Sequence, residues 1–112
     1  MKERGYGNMD NRNIISGVCD AVVEMCEPLK VVLISKKMNP AQQITGFKLC
    51  VVLPDSTGSV SEVEARLYMQ IESDAPFDLI LYKESEWNDL KDDAGTFAWK
   101  IADTGTVLYE RE

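Results

Sequence analysis

The chain reads as an α/β protein, a small mixed sheet of about four strands covered by helices. Three observations point there. Apolar residues recur at helical spacing near both ends of the first seventy residues, as Ile14, Val18, Val22 and Met25 and as Val60, Val63, Leu67 and Ile71. Three short apolar runs, KVVLIS, FKLCVVL and FDLILY, have the length and composition of buried strands. Proline, glycine and asparagine punctuate the segments between them.

Taken in order, residues 11–27 form the first helix, with Asp10 or Asn11 as its cap and Pro28 as its stop, because proline cannot continue the backbone ladder. A strand over Lys30–Ser35 follows. Residues 36–45 are a polar crossover in which Asn39-Pro40 marks a turn or the start of a broken helical segment. A second strand covers Phe47–Leu53, and PDSTGS is a loop. The second long helix begins near Ser59 or Ser61, since both Ser59…Glu62 and Ser61…Glu64 fit a capping box. After Ala75-Pro76 comes a third strand, Phe77–Tyr82. Ser85–Leu90 is a short helix with Trp87 and Leu90 turned inward. Thr96 caps a last helix, Gly105 ends it, and Val107–Tyr109 is a short edge strand or extended tail. Residues 1–12 are expected to be a flexible lead-in and residues 13–112 a single domain.

Composition excludes several classes of function. There is no histidine, which removes Ser-His and Cys-His nucleophile pairs and the commonest general base. Three cysteines, an odd number, fit a reducing, cytoplasmic compartment. Cys19 and Cys26 lie two helical turns apart, roughly 10 Å, too far for a disulfide. All three cysteines read as packing residues, and no ligand spacing suggests zinc. The N-terminus has no apolar stretch behind its charges and does not read as a signal peptide, and no apolar run is long enough to span a bilayer. Net charge is −7, split as +1 over residues 1–60 and −8 over 61–112, which disfavours strong electrostatic binding of nucleic acid. Lys36, Lys37 and Lys48 form a local basic cluster inside the less acidic half.

This order of elements, with Leu33-Ile34-Ser35, Lys36-Lys37-Met38-Asn39, Thr45-Gly46-Phe47-Lys48-Leu49, Phe77-Asp78-Leu79-Ile80-Leu81 and the ending Ile101…Gly105-Thr-Val-Leu-Tyr-Glu110, resembles the minimal nucleotidyltransferases of the DNA polymerase β-like superfamily. The family pattern reads Phe-Gly-Ser, Arg-Ala-Arg-Gly, Ser-Asp-Ile-Asp-Leu, and a later strand bearing a third carboxylate. The likeness covers nearly all of residues 14–110 and rests on spacing, strand composition and tail rather than on catalytic motifs.

The resemblance implies a reaction, nucleotidyl transfer to a hydroxyl, that uses two divalent metals held by carboxylates. In this chain the phosphate turn holds Ile34 and Ser35 instead of Gly-Ser, and the Asp-x-Asp pair is replaced by Gly46 and Lys48. Only Asp78 survives of the carboxylate triad. An ammonium about 4 Å from a divalent ion opposes it by roughly 8 kcal/mol at an effective dielectric near 20. These five residues therefore mark a vestigial site, with no catalytic residue, metal or cofactor expected. Asp78, as an acid on a buried strand, is expected to pair with Lys48, and Ser35 to cap the following turn. Asp55, Glu62 and Asp92-Asp93 read as solvated and Glu64 as a cap, so the acids do not rebuild a metal centre.

The leading functional expectation is a catalytically inactive nucleotidyltransferase-like domain acting through protein–protein interaction, antitoxin-like or regulatory. Its partner would be a small helical HEPN-type protein, by analogy with the family, or a second copy of the chain. Non-catalytic nucleotide or RNA binding through the remnant pocket is the alternative, and an active transferase the third.

Overall fold

In the computed structural model, which describes residues 11–111, eight elements alternate along the chain. They are α1 (Asn11–Cys26), β1 (Lys30–Met38), β2 (Ile44–Leu53), α2 (Val60–Gln70), β3 (Phe77–Lys83), α3 (Glu84–Leu90), α4 (Phe97–Thr104) and β4 (Thr106–Glu110). The strands form one mixed sheet in the order β3-β2-β1-β4. Strand β1 is antiparallel to both β2 and β4, and β2 runs parallel to β3. The α/β class and four-stranded mixed sheet expected from the sequence are both present. No helix among the described residues is long and apolar enough to cross a membrane.

Helices cover both faces of the sheet. On one face Val31, Leu49, Val51, Leu53 and Leu79 pack with Ile15, Val18, Cys19 and Val22 of α1 and Val63 and Leu67 of α2. On the other, Val32, Cys50 and Val52 pack with Trp87 of α3 and Ala98 and Ile101 of α4. Strand alternation explains the division, because odd- and even-numbered residues of β2 point to opposite sides from Phe47 onward. Having both faces covered is why FKLCVVL is an almost unbroken apolar run. The buried stripe of α1 is Ile15, Val18, Cys19 and Val22, so Ile14 and Met25 sit at its margin. Cys19 and Cys50 are core packing groups, and burial pushes their thiols up to about 11 and about 12.

The ends of the elements follow local chemistry. Ser59 caps α2, its hydroxyl accepting from the Glu62 N–H at 3.2 Å, which decides between the two serines and leaves Glu64 outside the cap. Thr96 caps α4 by accepting from the Trp99 N–H at 3.1 Å, and Gly105 closes it. The first helix begins at Asn11; Asp10 and the rest of the lead-in up to residue 10 lie outside the described residues.

The polar crossover is where the structure departs most from the sequence reading. Of the two readings of Asn39-Pro40 the turn is the one present and no helical segment intervenes; the departure lies in the strands, since β1 runs on to Met38 and β2 starts at Ile44. Asn39 organises that turn. Its side chain accepts from the Gln43 N–H at 2.9 Å and donates to the Gln43 Oε1 at 3.0 Å, while Gln42 takes a left-handed conformation at φ 66°. Cross-strand pairing thus overrides the polarity of Lys36–Thr45, since an exposed hairpin needs little apolar content.

Both sheet edges are blunted. Along β3, the outward Leu79 N–H donates to the Tyr68 hydroxyl at 2.6 Å. Strand β4 is five residues long and carries a register shift opposite Val31 and Val32. Short bulged strands and occupied N–H groups are devices that discourage further strand pairing.

Candidate functional site

Four of the five vestigial-site residues meet at one end of the sheet. The parallel register of β2 and β3 sets Lys48 directly across from Asp78, and the antiparallel register of β1 and β2 sets Ser35 across from Lys48. By alternation Lys48 shares a side with Cys50 and Val52. Ser35 and Asp78 are exposed there and Lys48 is half-buried.

The result is a cleft of about 240 Å³. Ser35, Lys36 and Lys37 line it from β1, Thr45, Gly46, Phe47 and Lys48 from β2, and Pro76, Phe77 and Asp78 from the start of β3. The Phe47 N–H donates to the Pro76 carbonyl at 3.2 Å, which ties β2 to the segment entering β3. Behind the cleft, Phe77 stacks on Phe47 with centroids 5.9 Å apart and on Tyr68 at 5.7 Å. This aromatic row was not read from the sequence. The signal for it was available, since Phe47 and Phe77 each immediately precede a polar site residue, Lys48 and Asp78.

Ile34 does not belong to the site. It is the extra residue of a bulge in β1 between Leu33 and Ser35, and it packs against the apolar cluster of Val32, Cys50 and Trp87. The expected phosphate turn is therefore a bulged strand. Ser35 continues that strand and caps no turn, which corrects the role expected for its hydroxyl.

The expected Lys48–Asp78 ion pair does not form. Ion pairs among the described residues join Lys30 to Glu110 at 3.4 Å and Lys91 to Asp92 at 3.2 Å. The premise of a buried acid was at fault. Asp78 lies at the solvent-exposed start of β3, so no desolvation cost drives it to pair, and an exposed pair contributes little. Asp55, expected to be solvated, instead accepts from both the N–H and the hydroxyl of Ser85, at 2.9 and 3.0 Å, and so caps the start of α3 from thirty residues away.

The donor set does not fit a pair of divalent metals. Asp78 is the single carboxylate of the cleft, against Lys37 and Lys48 on the same side of the sheet, while Lys36, paired with Phe47, turns toward α1; among the described residues no three metal-ligating side chains cluster anywhere. Hard cations such as magnesium need several oxygen ligands, and ammonium groups repel them. The same arrangement suits an anion better than a cation, with one more positive than negative side chain and the Ser35 hydroxyl on that side. Gly46 contributes openness: a Cβ there would lie 3.6 Å from the Pro76 carbonyl, an ordinary contact, so the position is not sterically restricted to glycine.

In comparisons with protein-family models, curated proteins and solved structures, the chain matches none.

Proposed function

We propose that this chain is a non-catalytic domain of nucleotidyltransferase-like layout that works by binding, and that the cleft between the β1–β2 hairpin and the start of β3 takes an anionic group. The observation carrying this reading is the cleft's lining on one side of the sheet: Lys37 and Lys48 against the single carboxylate Asp78. Nucleotidyl transfer by two metals has no support from this donor set, whereas anion binding needs only the groups present. Thermal unfolding with added phosphate, ATP and GTP tests it. A ligand at a hundred times its dissociation constant adds about 2.7 kcal/mol. Absence of a shift with every anion removes the reading.

A protein partner, a HEPN-type helical protein by the family resemblance or a second copy, is the other binding mode. It is favoured by Met69 of α2, which is 84% exposed. Methionine is a common anchor at protein interfaces. Blunted sheet edges direct such a partner to a helix surface rather than to strand addition.

A further inference from the structure

We infer that the groove between α1 and the β1–β4 half of the sheet is a binding site for a free α-amino acid with an apolar side chain. The groove lies on the opposite side of the sheet from Lys37, Lys48 and Asp78, and it stands independently of the anion reading above.

Three observations carry the inference. First, the fold builds an apolar floor and leaves part of it open. Val31 pairs with Tyr109 and Val32 with Val107, so Leu108 is the extra residue of a bulge in β4, and it packs on the α1 side together with Tyr109. Leu33 of β1 lies on the same side, and Ile15 and Cys19 of α1 complete the floor. Leu33 and Leu108 are only half-buried there. The groove encloses about 360 Å³. Sites for small molecules typically span about 300–1,000 Å³ and combine an apolar lining with a few polar groups.

Second, the rim carries one group of each sign on facing walls. Ser16 and Asp20, one helical turn apart, share a face of α1, and Lys36 stands on β1. Third, these opposite charges border one cavity without pairing. Neither Asp20 nor Lys36 makes an ion pair with the other or with any other described residue. The Asp20 carboxylate is felt at the floor, where burial first and that charge second raise the Cys19 thiol to about 11.

A zwitterion fits this layout. Its ammonium meets Asp20 and the Ser16 hydroxyl, its carboxylate meets Lys36, and its side chain covers the apolar floor. A ligand with only a carboxylate would face Asp20 as a like charge, and one with only an amine would face Lys36.

Calorimetric titration of the full chain with leucine, phenylalanine, serine, 4-methylpentanoate and 3-methylbutylamine tests this, with amide chemical shifts locating the site. Leucine and phenylalanine should bind. The ligands lacking one charge or the apolar side chain should each bind at least about tenfold more weakly. Lys36→Gln and Asp20→Asn alter exposed side chains, and each should weaken leucine by about fivefold or more. In Lys36→Gln leucine should bind no more tightly than 3-methylbutylamine, and in Asp20→Asn no more tightly than 4-methylpentanoate. Shifts should centre on Ser16, Asp20, Lys36 and Leu108. Equal binding of leucine and either singly charged ligand by the native chain, shifts centred elsewhere, or no binding of either amino acid overturns the inference and leaves the anion reading of the other cleft standing.

Discussion

The Tyr68 hydroxyl accepts the Leu79 N–H at 2.6 Å, so a side chain of α2 closes the outer edge of β3 just beyond the cleft. The same ring stacks on Phe77, which makes Tyr68 both an edge cover and the outer member of the aromatic row.

Tyr68→Phe keeps the ring and removes the acceptor. Leu79 is buried at 4% exposure, so its N–H loses its partner where water reaches it poorly. A loss of about 1–2 kcal/mol is expected in denaturant unfolding, with faster hydrogen exchange at the Leu79 amide. Unchanged exchange there would show that the hydroxyl does not protect the edge.

Gly105 and Gly46 should behave oppositely on substitution by alanine. At Gly105 a Cβ would sit 2.4 Å from Val32 Cγ1 and 2.7 Å from the Ile101 carbonyl, so α4 or β1 must shift. The φ of −75° is ordinary, and the cost is steric. Gly105→Ala is expected to destabilise by about 2–3 kcal/mol, and Gly46→Ala to be near neutral, both read from chemical denaturation followed by tryptophan fluorescence.

Asp55→Ala removes the acceptor shared by the Ser85 N–H and hydroxyl. The Lys83 position that precedes α3 offers no side-chain cap, so nothing replaces it. The expected loss is about 1 kcal/mol, concentrated in α3 and measurable as raised amide exchange over Ser85–Trp87.

Much of this frame was legible in the sequence, for identifiable reasons. Strands with continuous apolar runs, such as FKLCVVL, and helices with caps and stops, such as Thr96 to Gly105, carry their signal locally. The hairpin extension of β1 and β2 through Lys36 and Thr45 does not, because its pairing partner lies on another segment and its side chains face water. The site was half legible. Spacing anticipated that Ser35, Gly46, Lys48 and Asp78 line one cleft, but a bulge, invisible to spacing, turned Ile34 into the core. Exposure at the start of β3, also a non-local property, removed the need for a Lys48–Asp78 pair.

The buried thiols predict alkaline sensitivity. Burial raises Cys19 to about 11 and Cys50 to about 12, above the ordinary value of 9.0. A raised folded-state value means that the native chain holds its proton more tightly than the unfolded one. The stability these thiols contribute is therefore fully present below pH 9 and is lost as pH climbs from there through 11 and 12. In that window each thiol should lower stability by about 1.4 kcal/mol per pH unit. Urea unfolding at pH 8, 9 and 10 checks this, and a Cys50→Ala variant should show a shallower decline.

The most direct measurement of the proposed binding-only role is manganese binding by electron paramagnetic resonance, on the native chain, on Asp78→Ala, and on a Gly46→Asp/Lys48→Asp double variant. Gly46 has room for a side chain and Lys48 lies across from Asp78, so the double variant gathers three carboxylates at the cleft. The native chain should leave the free manganese signal no lower than Asp78→Ala does, and the double variant should quench it. Native quenching that disappears with Asp78→Ala would contradict the proposal, because it would place a working metal site in the cleft.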